Sequence, residues 1–540
     1  MQTLQAPSLH LPRLNPVALI TLAAAVLVGA PVAIAIFTGL VGGGGEAWSH
    51  IVSTQLLGYT LTTLGVIAMT ALIIVLFAVP AAWFVSLNEF PGRGFFEWAL
   101  ILPLAAPGYV IAYAWADFAD VGGPLQSLLR DVTGLSARDY WFPTVYSIPG
   151  LSFVMACALF PYAYLTARAA FANLSLCTME AARSLGASPR RIFLQVALPA
   201  ARPAIFAGLA LALMETAADY GAASYLGVQT LSVGIFRAWH SFSEPAVAAR
   251  LAFLLILIAF GLQFIERISR GRGSIQQTAT RWRTPRRQKL GSLAGWSVAL
   301  GCALVLTLSF IIPVARLVWV SAETGLGQGQ IARPFFNSLI LALAGAAAAF
   351  ILALAIVIGA RQNRFSQYIG RFTAGAGYAA PGIVLALGAL FILSWTGMSV
   401  AGPAALVFLV WIYASRFTAA GAEPLNAAFS KAPASLGNAA RSLGASRLQR
   451  LARVDLPVAM SGASAAAIIL FVETLKELPA TLMLRPFNWD TLAVQAFAYA
   501  SDERLAAATL PSLLITAAGL GPVILLSLQL TRAGQSRAAG

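Results

Sequence analysis

The sequence reads "EAARSLGASPRRIFLQVALP" at Glu180–Pro199 and "NAARSLGASRLQRLARVDLP" at Asn438–Pro457. Two polar, arginine-bearing stretches thus hold Ala-Ala, Gly and Leu-Pro at identical spacings inside a chain that is otherwise largely apolar. Each obeys helix rules. "EAARSL" is a run of good helix formers closed by Gly186, the residue best suited to a left-handed cap. Ser188 and Pro189 then supply an N-cap and a first-turn proline for a second helix that runs on to Leu198 and Pro199. The expected product is an elbow: helix, tight turn, helix. Gly444 and Ser446 hold the same places in the second copy, without the proline. Small Ala181, Ala182, Ala439 and Ala440 admit the close approach of another surface. Ile192 and Val196, or Leu451 and Val454, offer an apolar stripe, and the arginines are left to water or acidic groups. A helix that only anchors a loop at a membrane needs amphipathicity and no fixed glycine register. Two copies in one register favour a specific partner.

Composition sets the class. The chain of 540 residues is 59% hydrophobic and 10% charged, with a mean hydropathy of +0.79, against roughly 25% charged residues in soluble domains. It reads as an all-α integral membrane protein. A bilayer core of about 30 Å takes about 20 apolar residues per helix, and about twelve such runs can be placed: 15–41, 56–87, 96–117, 146–168, 201–222, 246–265, 292–319, 335–360, 372–395, 401–420, 458–476 and 506–531. The net charge of +15 could suggest a nucleic-acid binder, but the Lys and Arg gather on alternate loops and tails, as the positive-inside rule expects of a chain with its N-terminus in the cytoplasm. No nucleic-acid partner is expected. The densest cluster, "RISRGRGSIQQTATRWRTPRRQK" at Arg267–Lys289, reads as a flexible cytoplasmic linker, with contact to membrane lipid head groups as the lesser alternative. Cys157, Cys177 and Cys302 are too few and scattered for a disulfide framework or a metal site. The first apolar run reads as an uncleaved signal anchor.

The repeat extends beyond the quoted stretches. At the same offset, "AAF" at Ala169–Phe171 recurs at Ala427–Phe429, and Glu215-Thr216 recurs at Glu473-Thr474. At a slightly different one, "AAPG" at Ala105–Gly108 recurs at Ala379–Gly382. The expected organisation is a first half at 1–266 with its charged loop at 176–199, a linker at 267–291, and a second half at 292–540 with its charged loop at 434–457. Each half carries six spans with the loop between its fourth and fifth. An even span number makes the halves parallel, related by a pseudo-two-fold axis along the membrane normal, with both loops cytoplasmic.

Ionisable groups within spans are costly and mark function. "METAADYGAASY" places Glu215 and Asp219 at i, i+4 with Tyr220 and Tyr225 beyond, and "VETLKELPATL" places Glu473 and Glu477 at the same spacing with Lys476 between. Such a spacing puts both carboxylates on one helix face, so four could converge on the axis as a translocation pathway. A purely structural role is the alternative: Glu473 paired with Lys476, Glu215 bonded across the half interface. Acids and phenols suit a hard cation, held in passing and not in a tight metal site. No nucleotide site is found: Lys289, Lys431 and Lys476 lack an upstream Gly-rich loop, and "GLGQGQ" at Gly325–Gln330 has the spacing of a turn. HExxH, GxSxG and paired-cysteine motifs are absent from the sequence. The chain reads as no enzyme.

The charged stretch resembles the EAA loop of the membrane subunits of ATP-binding-cassette (ABC) importers, pattern "EAA, x3, G, x9, I, x, LP", with valine for isoleucine in both copies. The resemblance implies a type I importer permease in which each loop is a coupling helix docked on one of two copies of a cytoplasmic ATPase. The residues it carries over are Glu180, Ala181, Ala182 and Gly186, with Ala439, Ala440 and Gly444; Asn438 stands where the glutamate would be. "ADYGAASYLGVQTLSVGIFRAW" at Ala218–Trp239 and "ETLKELPATLMLRPFNWDTLAVQAFAYASDERL" at Glu473–Leu505 resemble the fused two-half permeases of ferric-iron importers. That resemblance implies iron(III) as cargo, a periplasmic substrate-binding protein and the bacterial inner membrane. Thiamine importers have a similarly fused permease and are the nearest alternative. An ion-coupled secondary transporter of two parallel six-span halves is more distant, since it would not need two matching elbows.

Overall fold

The computed structural model describes residues 16–43, 45–174, 176–270, 287–325, 331–361, 380–430, 439–440, 442–450, 453–454 and 456–538. Helix dominates, as it must where lipid cannot satisfy backbone polar groups. Among the described residues nine helices are long and apolar enough to cross a membrane, and a tenth span would be the pair Arg93–Ala105 and Gly108–Thr133, bent by 95°. The shorter apolar helices Gly382–Trp395 and Gly462–Leu475 stand where the ninth and eleventh runs were expected.

The expected span 96–117 is therefore not one straight helix. Arg93–Ala99 is followed by a short 3-10 turn, Leu102–Ala105, and a new helix begins at Gly108. "PLAAPG" explains the break. Pro107 is extended (φ −61°, ψ 151°), and a proline removes a backbone donor and excludes the helical region for the residue before it. The second "AAPG" does the same: Pro381 is extended (φ −56°, ψ 142°) and the helix starts at Gly382. Residues 362–379 lie outside the described residues, as do 271–286 of the linker and 326–330 of "GLGQGQ". The helix Pro245–Arg270 runs past the expected start of the linker at 267. At the linker's far end, Gln288–Lys289 pairs in parallel with Asn88–Glu89, and Glu89 is ion-paired with Arg93 and Arg287.

The first helix of each half packs on both halves, Pro16–Val41 also lying against Pro245–Arg270 of its own half. Pro16–Val41 packs on Ala332–Ala360 and Gly382–Trp395, while Ile312–Thr324 packs on Gly108–Ala119 and Leu505–Ala538. Matching bonds tie the halves together: the Trp411 indole donates to the Leu27 carbonyl (2.9 Å) and the Trp115 indole to the Leu308 carbonyl (3.1 Å). One buried apolar cluster consequently runs through both halves, from Val32 and Tyr113 to Leu390 and Leu478. The halves share a core.

Candidate functional site

The elbows form as their sequences dictate. In the first, the helix Leu176–Ser184 is followed by Gly186 at φ +78°. Ser188 then caps Pro189–Ile192, its Oγ accepting from the Arg191 amide at 3.4 Å. In the second, Gly444 also stands at φ +78°. There the missing proline has a substitute: the Ser446 hydroxyl accepts from the Gln449 amide (3.3 Å) and the Gln449 side chain accepts from the Ser446 amide (2.9 Å), a reciprocal capping box. Glu180, Gly186, Ala439 and Gly444 are exposed, Ala182 and Ala440 half-buried. Ala181 lies in the helix Leu176–Ser184; Asn438 is outside the described residues. The apolar stripe needs correcting, because Ile192 is buried against the protein itself. The exposed apolar groups are Leu185 and Leu443, each 88% accessible at the tip of its elbow. Their signal was available in the sequence as a leucine held before the glycine in both copies.

The four acids do converge, though not as two helix faces. The fifth span of the first half ends at Ala218 and that of the second at Leu475, so Asp219 and Glu477 fall in the breaks that follow. Each turns back to cap the next short helix. An Asp219 oxygen accepts from the Ala223 amide (3.0 Å), and Glu477 accepts from the amides of Ala480 and Thr481 (both 3.0 Å) and from the Thr481 hydroxyl (2.8 Å). A carboxylate at a helix N-terminus satisfies donors that have no partner within the helix.

Arg416, on the helix Pro403–Ser430, joins the halves. Its guanidinium reaches Glu477 at 3.1 Å and Glu215 of the first half at 3.2 Å. Lys476 pairs with Glu473 at 2.9 Å and donates to the Leu104 carbonyl of the first half at 3.3 Å. The pairings foreseen as a structural alternative, Glu473 with Lys476 and Glu215 across the interface, are thus the ones formed. Arg416 was missed; its signal was a lone arginine in an otherwise apolar run. Gly382 makes room for it, since a Cβ there would collide with the guanidinium and lie 2.6 Å from the Glu477 carboxylate.

All six charged groups line one small pocket of ≈ 120 Å³. Beneath it lies a cavity of ≈ 1170 Å³, bordered by Lys476 and Glu473 at its head and by Glu266, Arg361, Glu423 and Asn426 towards the elbow end. Among the described residues the larger cavity lies on the elbow side of the charged cluster.

Two repeats that close around a cavity, each carrying a matched elbow, are an arrangement suited to a membrane permease, and the proteins this chain is similar to are permeases. Residues 78–273 match the family described as "Binding-protein-dependent transport system inner membrane component". The chain is 26% identical over 456 residues to the Fe(3+)-transport system permease protein FbpB 2 of Haemophilus influenzae, covering 82% of this chain and 84% of that protein. It is 25% identical over 428 residues to the probable ABC transporter permease protein y4fN of Sinorhizobium fredii, covering 74% of each. The sulfate transport system permease protein CysT of Salmonella typhimurium matches at 24% over 230 residues, 41% of this chain and 80% of that protein.

Proposed function

We propose that this permease moves ferric iron, delivered by a periplasmic binding protein, across the inner membrane, driven by ATP hydrolysed on two copies of a separate ATPase docked at the elbows. In this reading both termini and both elbows are cytoplasmic, as the distribution of Lys and Arg supports. The observation that carries the cargo is the convergence of Glu215, Asp219, Glu473 and Glu477 at the head of the elbow-side cavity, in a chain similar along most of its length to an iron(III) permease. Oxygen ligands suit a hard cation.

The geometry supplies a mechanism. Arg416 and Lys476 neutralise three of the carboxylates while the path is shut, and both reach across to the first half. Movement of one half against the other, driven from the elbows, separates Arg416 from Glu215 and uncovers acidic oxygens. Iron meets several weak oxygen contacts in turn and is released into the cavity, since conduction needs sites that bind without trapping.

The test is uptake of radiolabelled ferric iron by vesicles holding the permease, its ATPase and its binding protein, comparing wild type with Glu215→Gln and Glu473→Gln. Amides of nearly equal size remove only the charge. Both variants should insert and bind the ATPase normally yet lose about tenfold in initial rate, the value of one charge-assisted contact. Wild-type rates in both would remove these carboxylates from the pathway. Uptake of thiamine and not of iron by the wild type would overturn the cargo.

A further inference from the structure

A file of tyrosines runs from the charged cluster to the face opposite the elbows. Tyr109 and Tyr113 stand one turn apart on Gly108–Ala119, ring centroids 5.8 Å apart; Tyr113 meets Tyr225 edge-on at 4.6 Å; Tyr225 faces Tyr146 at 6.4 Å. Tyr146 is 48% exposed, in the loop before the helix Ile148–Ala172. At the inner end the Tyr109 hydroxyl donates to the Lys476 carbonyl at 3.5 Å. Tyr113 is fully buried, and its hydroxyl has no hydrogen-bond partner among the described residues. Buried hydroxyls are nearly always satisfied, so this one calls for an occupant. Asp219 is a charged neighbour of both Tyr109 and Tyr113, and Asp117, Asp120 and Glu503 are those of Tyr146.

Packing alone does not ask for phenols here. At the matching positions of the second half stand Ile383, Leu387 and Met483, which fill the same scaffold with fully apolar side chains. At these three positions the hydroxyls are confined to the first half; the second half's buried phenol near the cluster, Tyr413, stands elsewhere and is bonded to the Thr481 hydroxyl.

We propose that Tyr146, Tyr225, Tyr113 and Tyr109 form the outer stage of the permeation route, a lane of phenol oxygens that passes a hard cation from the outer surface to Asp219 and Glu477. The lane rests on the ferric-iron reading above. Rings alone would instead serve an organic cation through their faces, and exchange of tyrosine for phenylalanine separates the two because it keeps the face and removes the oxygen.

The experiment is ferric-iron uptake in the same whole-complex vesicles, with Tyr113→Phe, Tyr225→Phe, Tyr113→Leu and, as the second-half control, Leu387→Met. Initial iron uptake should fall about tenfold in Tyr113→Phe, the loss expected for one oxygen contact to a charged cargo, and less in Tyr225→Phe. Leu387→Met should transport as wild type, and all variants should melt within a few degrees of it. Wild-type uptake by Tyr113→Phe overturns the lane, and so does a loss seen in Tyr113→Leu but not in Tyr113→Phe, which would assign the ring to packing. A wild type that takes up no iron fails the cargo reading itself, and is told apart from failure of the lane by that arm alone.

Discussion

Asp219 and Glu477 sit in matching breaks of the two halves and each caps the short helix that follows, but their surroundings differ in kind. Around Asp219 lie the phenols of Tyr109 and Tyr113, and the place that corresponds to Arg416 is Ala158. Around Glu477 lie Arg416, the Thr481 hydroxyl and the phenol of Tyr413 bonded to it, with Lys476 where the first half has Ala218. The acids belong to both halves, the cations to the second and the file of phenols to the first. Duplication explains what they share. The division of labour, with one half holding the latch and the other the lane, is what a single chain permits and an identical pair of subunits could not.

That comparison breaks most readily at Arg416. Its removal leaves Glu477 as a buried carboxylate without its cation, and breaking such a pair costs about 3–5 kcal/mol. Arg416→Met should sharply lower the melting temperature of the purified permease, with partial recovery in Arg416→Met/Glu477→Gln, whereas Ala158→Met at the corresponding site should cost far less. Equal losses would show that the latch is not peculiar to the second half. The two "AAPG" glycines sharpen the point: a Cβ at Gly108 meets the Met155 sulfur at 3.2 Å, one that a flexible side chain can relieve, while a Cβ at Gly382 meets the ion pair. Gly382→Ala should reproduce part of the Arg416 phenotype, and Gly108→Ala little of it.

The elbows differ more subtly. If Glu180 makes a charge-assisted contact with the ATPase, worth about 1.5–3 kcal/mol, Glu180→Ala should weaken transport-coupled ATP hydrolysis more than Asn438→Ala. Equal losses would mean that this side chain does not distinguish the two docking sites.

The smallest effect should be a symmetric one. Gly186 and Gly444 share φ +78°, and nothing lies within 4 Å of a Cβ at either. Valine in their place meets backbone strain of about 1–2 kcal/mol and no clash. Gly186→Val and Gly444→Val should each lower the amount of ATPase that co-purifies, and by similar factors. A marked difference would show that the elbows are not equivalent even where their backbones are.

The sequence by itself determined the membrane class, the two-fold repeat, the elbows and the identity of the four acids. These rest on local or additive quantities: apolar length against bilayer thickness, the φ that a glycine permits, an N-cap beside its proline, and a spacing repeated at one offset. The i, i+4 reading brought forward the four carboxylates that gather in one pocket, but for an incomplete reason, since periodicity assumed a helix that continued through Asp219 and Glu477. The chain in fact breaks after Ala218 and Leu475, and both side chains turn to the next helix. Only the tertiary structure decided that Arg416 meets Glu215 and Glu477, because Arg416 is distant in sequence from Glu215 and has no counterpart in the first half to betray it. It also decided that Ile192 faces inward while Leu185 and Leu443 face out, that each half's first helix packs on both halves, and that the buried Tyr113 hydroxyl finds no hydrogen-bond partner among the described residues. Those outcomes follow from how helices pack across the interface between the halves, and packing is a property of pairs of surfaces that no single stretch of sequence contains.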